Sequence, residues 1–124
     1  IAKCHAAKMA GDSTIEVWGT GAPMREFMSV DDLADALVFL LIHYSDDTFV
    51  NVGSGKEISI KAFAEIVAKI VGFEGDLVFD TSRPDGMPRK MMDSSALIGL
   101  GWTPQIGLYE GLEQAYVWYL ENIA

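Results

Sequence analysis

Apolar positions along the chain switch between two spacings, and the switches mark its elements. Ile1–Ala10 is rich in alanine and ends at Gly11, the pattern of a helix tail closed by a glycine. Nothing ahead of it supplies a cap, so the chain is expected to begin inside an element, as a fragment of a longer product would. Ile15–Trp18 reads as a strand. Asp31 or Asp32 is expected to cap a helix running to about Tyr44, with apolar positions 33, 34, 37, 38, 40 and 41 inward. A turn at Asp46-Asp47 precedes a strand, Thr48–Val52, which runs into Gly53-Ser54-Gly55. Ser59 caps an amphipathic helix ending at Gly72, its inner face formed by Phe63, Ile66, Val67 and Ile70. Asp76–Asp80 is a further strand. Ser94 or Ser95 opens a short helix to Leu100, stopped by Gly101. Pro104–Leu108 then links to a last helix, Tyr109–Ile123, with Leu112, Ala115, Tyr116, Tyr119 and Leu120 inward. No repeat or low-complexity tract interrupts this order.

Composition narrows the classes. With 124 residues, half of them hydrophobic, the chain can form one modest domain with a real core. Its longest apolar run, Ala36–Ile42, is too short to cross a bilayer, and Ile1–Ala10 carries two Lys and a His, unlike a signal peptide. A single cysteine, Cys4, provides no disulfide framework and suits a reducing, cytoplasmic compartment. A net charge of −9 argues against general nucleic-acid or anionic-membrane binding.

Acidity makes the few cations informative. Of nine Lys and Arg residues, Arg83, Arg89 and Lys90 fall within one Pro/Gly-rich loop, S-R-P-D-G-M-P-R-K. Such a loop is either solvated, with Asp80, Asp85 and Asp93 as partners, or a site for an anion. Arg25 ends the other glycine loop, in V-W-G-T-G-A-P-M-R-E-F. Glycines allow close approach of backbone to a ligand, an Arg offers a forked cation for phosphate, and Trp18 offers a flat face for stacking. The same segment can equally be a tight turn with an ordinary surface Arg.

Several constellations are incomplete. Gly19-Thr20-Gly21 lacks the third glycine of a dinucleotide fingerprint, and Pro23 falls where a helix should begin. Gly53-Ser54-Gly55-Lys56 lacks the first glycine of a phosphate-binding P-loop, and Glu57 replaces its hydroxyl residue. No Tyr is followed by Lys four residues on. Cys4 and His5 have no partners at metal-ligand spacing, and His43 ends a helix, where a cation suits the dipole. The chain by itself contains no catalytic set.

Four blocks, W-G-T-G-A-P-M-R-E-F, N-V-G-S-G, S-R-P-D-G-M-P-R-K and the closing L-G-W-T-P with Y-V-W-Y-L-E-N, resemble the C-terminal part of the GDP-L-fucose synthases. These are NADP-dependent 3,5-epimerase/4-reductases of the extended short-chain dehydrogenase family. The resemblance covers essentially all 124 residues. It implies an α/β substrate-binding lobe over residues 1–124, with the NADP-binding Rossmann domain and the Ser, Tyr-x-x-x-Lys, Cys and His groups upstream of Ile1. It also implies that Lys3, Trp18, Arg25 and Lys90 contact a GDP-sugar, GDP-4-keto-6-deoxy-mannose, and that the cofactor NADP is held outside this chain. Family members are commonly homodimers through upstream helices. Met87 stands where a small Thr is common, Met91-Met92 replace a Leu pair, and Ser29 sits where His or Tyr is frequent; none removes a phosphate contact. A lobe of a UDP- or dTDP-sugar epimerase or dehydratase, and a non-catalytic interaction domain, are the alternatives.

Overall fold

A computed structural model describes residues 1–124. In chain order the elements are α1 (Ala2–Ala10), β1 (Thr14–Trp18), β2 (Met24–Glu26), α2 (Val30–His43), β3 (Glu57–Ser59), α3 (Ile60–Val71), β4 (Asp76–Asp80), β5 (Arg89–Lys90), α4 (Ser95–Gly99) and α5 (Leu108–Asn122). β1 and β4 pair in parallel, Ile15 opposite Leu77 and Trp18 opposite Asp80. A second sheet has the order β3-β2-β5, with β2 antiparallel to β3 and parallel to β5. The arrangement is the α/β one expected.

Two hydrophobic clusters hold these layers together. In the first, α3 contributes Val67, Ala68 and Val71, which meet Cys4 and Ala7 of α1, Ile15 of β1 and Phe73. The Ser59 side chain caps α3 by accepting from Ala62 N–H at 3.1 Å, and Gly72 closes it in the left-handed region. In the second cluster, Ala36 of α2 meets Leu97 of α4 and Trp102. There the Trp102 indole N–H donates to Asp35 Oδ2 at 2.7 Å, which satisfies the one polar atom of the ring.

Several expectations are corrected. Neither Asp31 nor Asp32 caps α2: the cap is Ser29, whose Oγ accepts from Asp31 N–H at 3.3 Å. Asp32 is instead buried, accepting from the N–H groups of Gln105 at 3.0 Å and Ile106 at 2.9 Å, and so fixes the segment leading into α5. This turns α2. Its covered positions are Asp32 and Ala36 with Phe39 and Leu40 half-buried, while the predicted inner residues Leu33, Leu37, Val38 and Leu41 face solvent. Thr48–Val52 forms no strand, because no neighbouring strand completes its ladder; Phe49 is 88% exposed. The inner face of α3 is shifted to Ala68 and Val71 beside Val67, with Phe63, Ile66 and Ile70 half-buried. On α5, Leu112, Tyr116 and Tyr119 are half-covered, but Ala115 and Leu120 are exposed.

The total accessible surface is 8127 Å². A self-contained globular protein of this mass, 13.5 kDa, exposes about 6,500 Å². The difference, about 1,600 Å² on this chain alone, is about twice what each partner gives to a standard protein–protein interface.

Candidate functional site

The site is assembled from the two glycine-containing loops. β1 ends at Trp18, and the chain then turns through Gly19 (φ +82°) and Gly21 (φ +75°), conformations that side chains other than glycine rarely adopt. A Cβ at Gly21 would also lie 2.5 Å from the Phe79 ring of β4. Asp85, from the basic loop, accepts from Thr20 N–H at 2.8 Å and from the Thr20 hydroxyl at 2.6 Å. The hydroxyl bond, with the backbone bond second, holds the Asp85 carboxyl below the usual aspartate range. Two loops separated by 65 residues in sequence are thus latched together.

Trp18 is 65% exposed and belongs to neither core cluster. Its indole N–H donates to Glu16 Oε1 at 3.0 Å, which sets the ring orientation. Lys3 reaches the same residue from α1, its ammonium donating to the Glu16 carbonyl. Lys3 and Trp18 line one cavity of about 320 Å³, floored by Ile15, Phe63 and Leu77. Arg83 lies over the Trp18 ring, 4.9 Å from its centroid, with Nε 3.5 Å from Asp80 Oδ2.

Arg25 and Lys90 are brought together by strand pairing. β2 and β5 place them opposite each other in parallel register, so they share a face of the sheet. Short strands with no readable periodicity do this work, and neither was foreseen. Arg25 Nη1 donates to the carbonyls of Met24 at 2.6 Å and Met87 at 2.8 Å, pinning the basic loop to β2. Its Nη2 packs so closely on Gly86 that a Cβ there would lie 2.9 Å away. Arg89, by contrast, is occupied: Nε donates to both Glu57 oxygens at 2.8 and 2.9 Å and Nη2 lies 2.7 Å from Oε2, which raises its pKa above the ordinary arginine value. Lys90 takes part in neither salt bridge and lines an open groove of about 820 Å³ with Gly55, Met87 and Met91.

Four acids support this arrangement, and only Asp85 among them was expected at the site, as a partner for the loop cations rather than for Thr20. Glu26 accepts from Gly55 N–H at 2.7 Å and Met92 N–H at 3.2 Å, tying the N-V-G-S-G loop to the segment after β5. Glu57 holds Arg89, Asp85 holds Thr20, and Glu16 orients Trp18 and Lys3. Of the three aspartates expected to neutralise the basic loop, only Asp80 pairs with a cation. Asp93 turns to its own backbone, and the N–H of Ser95 at 3.0 Å lowers its pKa. Lys3 and Trp18 therefore share one pocket, and Arg25 and Lys90 share one sheet; the Thr20–Asp85 latch joins the loops that carry them. His5, outside this site, hydrogen-bonds the Tyr116 hydroxyl at 3.1 Å, and Cys4 is buried.

The Gly19-Thr20-Gly21 loop does not fit a dinucleotide. β1 leads through its glycines into β2, so no helix N-terminus faces that loop, and Asp85 already occupies the Thr20 N–H and hydroxyl. No step through NADP follows from this chain.

Comparison with known proteins gives a consistent result. A model of the NAD dependent epimerase/dehydratase family matches residues 1–53. GDP-L-fucose synthase 1 of Arabidopsis thaliana is 57% identical over 119 residues, covering 96% of this chain and 37% of that protein. The GDP-L-fucose synthase of Sinorhizobium fredii is 48% identical over 124 residues, covering 100% of this chain and 40% of that protein. Among solved structures, a GDP-L-fucose synthetase from Naegleria fowleri superposes with a TM-score of 0.91 at 28% identity, covering 98% of this chain and 37% of that one. The chain spans about two fifths of the length of the curated relatives it matches.

Proposed function

We propose, from the premise of a chain homologous over its whole length to the GDP-L-fucose synthases, that it is the C-terminal GDP-sugar-binding portion of such an enzyme. The full protein would convert GDP-4-keto-6-deoxy-D-mannose to GDP-L-fucose, by 3,5-epimerisation and NADPH-dependent 4-reduction. Residues 1–124 form the substrate lobe. An upstream Rossmann domain binds NADP and carries the catalytic groups, and a homodimer forms through that remaining length. Support for a second domain comes from the uncovered apolar stripe of α2, the unpaired segment 48–52 and the excess of exposed surface. No helix is long and apolar enough to cross a membrane; the proposed setting is the cytoplasm, and the partner is a small nucleotide sugar rather than nucleic acid or a membrane.

One observation carries the binding assignment. In an acidic protein, folding sets Arg25 opposite Lys90 on one sheet, beside a loop latched to the one that bears Trp18. Two cations on neighbouring strands are unfavourable without an anion between them. On this reading Arg25 and Lys90 face the diphosphate, while Trp18 and Lys3 hold the nucleotide at the 320 Å³ cavity. The lobe then contributes positioning.

Calorimetric titration with GDP and, separately, UDP tests the assignment. Heat with GDP and little with UDP is the expected result. A preference for UDP would move the protein to a sister group of sugar-nucleotide enzymes, and silence with both, from the full-length folded protein, would leave an interaction domain. Arg25→Ala should weaken GDP-sugar binding by about 1–3 kcal/mol, the scale of lost charge-assisted bonds; an unchanged affinity removes Arg25 from the site.

A further inference from the structure

We propose that Met87, Met91 and Met92 form an oxidant-sensitive patch, where sulfoxidation by a hydroperoxide reversibly weakens nucleotide binding in the Lys90 groove. For its consequence the inference rests on the nucleotide-binding reading above; it adds a modification site and a form of regulation.

Sulfur is unevenly placed in this chain. Three of its six methionines fall within the short stretch from Met87 to Met92. All three line the groove of about 820 Å³ that Lys90 borders, and with Ile98 they supply its apolar surface. Met87 is 68% exposed, Met91 41% and Met92 46%, so a small peroxide reaches each thioether from solvent. Met24 and Met28 are half-buried, Met28 against the second core cluster. Met9, on α1, is 71% exposed but lines neither the groove nor the Trp18 cavity, which makes it an internal control.

The patch can be modified without loosening the fold. None of the three side chains belongs to or packs on either core cluster. Their backbone is held independently: the Met87 carbonyl accepts from Arg25 Nη1 at 2.8 Å, and the Met92 N–H donates to Glu26 Oε2 at 3.2 Å. In the reaction, the sulfur lone pair attacks one peroxide oxygen. An S–O bond forms, the O–O bond breaks, and the proton passes to the departing hydroxide, which leaves as water. Sulfur loses two electrons and the peroxide gains them.

Oxidation converts a flexible apolar side chain into a polar one, and the new oxygen accepts hydrogen bonds far better than a thioether. Met91 Sδ already accepts weakly from Arg89 Nη2 at 3.9 Å, so a sulfoxide there competes with Glu57 for Arg89. Sulfoxides on either side of Lys90 compete for its ammonium in the same way. Two effects then oppose a bound nucleotide: the groove loses its apolar wall, and its cation gains an acceptor from the protein itself.

The test uses a protein that carries both this chain and the proposed upstream domain. It is treated briefly with hydrogen peroxide, each methionine is read by peptide mass, and GDP affinity is measured by calorimetry. Met87, Met91, Met92 and Met9 should gain oxygen ahead of Met24 and Met28. GDP affinity should fall about tenfold, the scale of one lost apolar contact, and return after treatment with methionine sulfoxide reductase and a thiol. Met9→Leu should lose affinity on oxidation as the native protein does. The triple variant Met87→Leu, Met91→Leu, Met92→Leu should show no difference between its treated and untreated forms. A loss that persists in the triple variant would overturn the proposal by tracing the effect to Met9 or to the buried Cys4. Unchanged affinity of a native protein oxidised at all three positions would overturn it while the nucleotide reading stands. So would a loss that the reductase does not restore, or three methionines that stay reduced while Met9 is oxidised. Failure of the untreated native protein to bind GDP would remove the nucleotide reading and this inference with it.

Discussion

Helices α2 and α3 have the same kind of sequence and opposite fates. Both show apolar residues at helical spacing, and both start at a serine cap. In α3 the apolar face is covered by α1, β1 and Phe73, and Val71 is 1% exposed. In α2 the face made by Leu33, Leu37, Val38 and Leu41 is bare, with Leu41 at 85% exposure. The residue that decides this is Asp32. Its buried carboxylate binds the Gln105 and Ile106 backbone and turns a polar line of α2 inward. Periodicity marks the face of a helix that wants covering; what covers it is a property of the rest of the molecule.

The largest effect should come from that carboxylate. Asp32→Ala would remove a buried carboxylate and leave the partly buried N–H groups of Gln105 and Ile106 without their acceptor, and should cost about 3 kcal/mol, read as a lowered urea midpoint. A cost below about 1 kcal/mol would mean that α2 is not anchored by its polar face, and the contrast with α3 would lose its cause. Next, Val71→Ala removes two buried methyl groups from the well-covered face of α3 and leaves a small cavity. It should cost about 2 kcal/mol in the same measurement. A near-zero cost would show that the α3 face is no better packed than that of α2.

What the sequence disclosed divides along similar lines. The helices α1, α2, α3, α4 and α5 and the strands β1 and β4 were legible because each has a cap, a glycine stop, a run of β-type residues or, for α5, a helical spacing of apolar residues of its own. β2, β3 and β5 were not, since two or three residues hold no period, and their existence depends on mutual pairing. The Thr48–Val52 strand failed for the converse reason: a suitable run has no partner in this chain. At the site, Trp18 and the cations stood out by residue type. The contacts of the acids that position them did not, because Asp85, Glu26 and Glu57 act across 65, 29 and 32 residues of separation, where composition carries no trace. Asp85 follows Pro84 and precedes Gly86, which signals a turn but does not reveal Thr20 as its ligand.

The smallest expected effect sharpens the comparison most. Leu41→Ser at an 85% exposed position should change the stability of the 124-residue chain by no more than about 0.5 kcal/mol, because the side chain leaves water neither before nor after the change. The same substitution in a protein that also carries the proposed upstream domain should cost about 2 kcal/mol if that domain covers the α2 stripe. The two measurements separate causes that one alone would confuse. A loss in both settings would show that Leu41 is buried already, against the geometry of α2. No loss in either would show that the stripe faces water throughout, so that the bare surface of α2 is not an interface and the two helices differ in kind. A loss only with that domain present would make α2 and α3 the same device: α3 is covered by elements within these residues, and α2 by elements outside them.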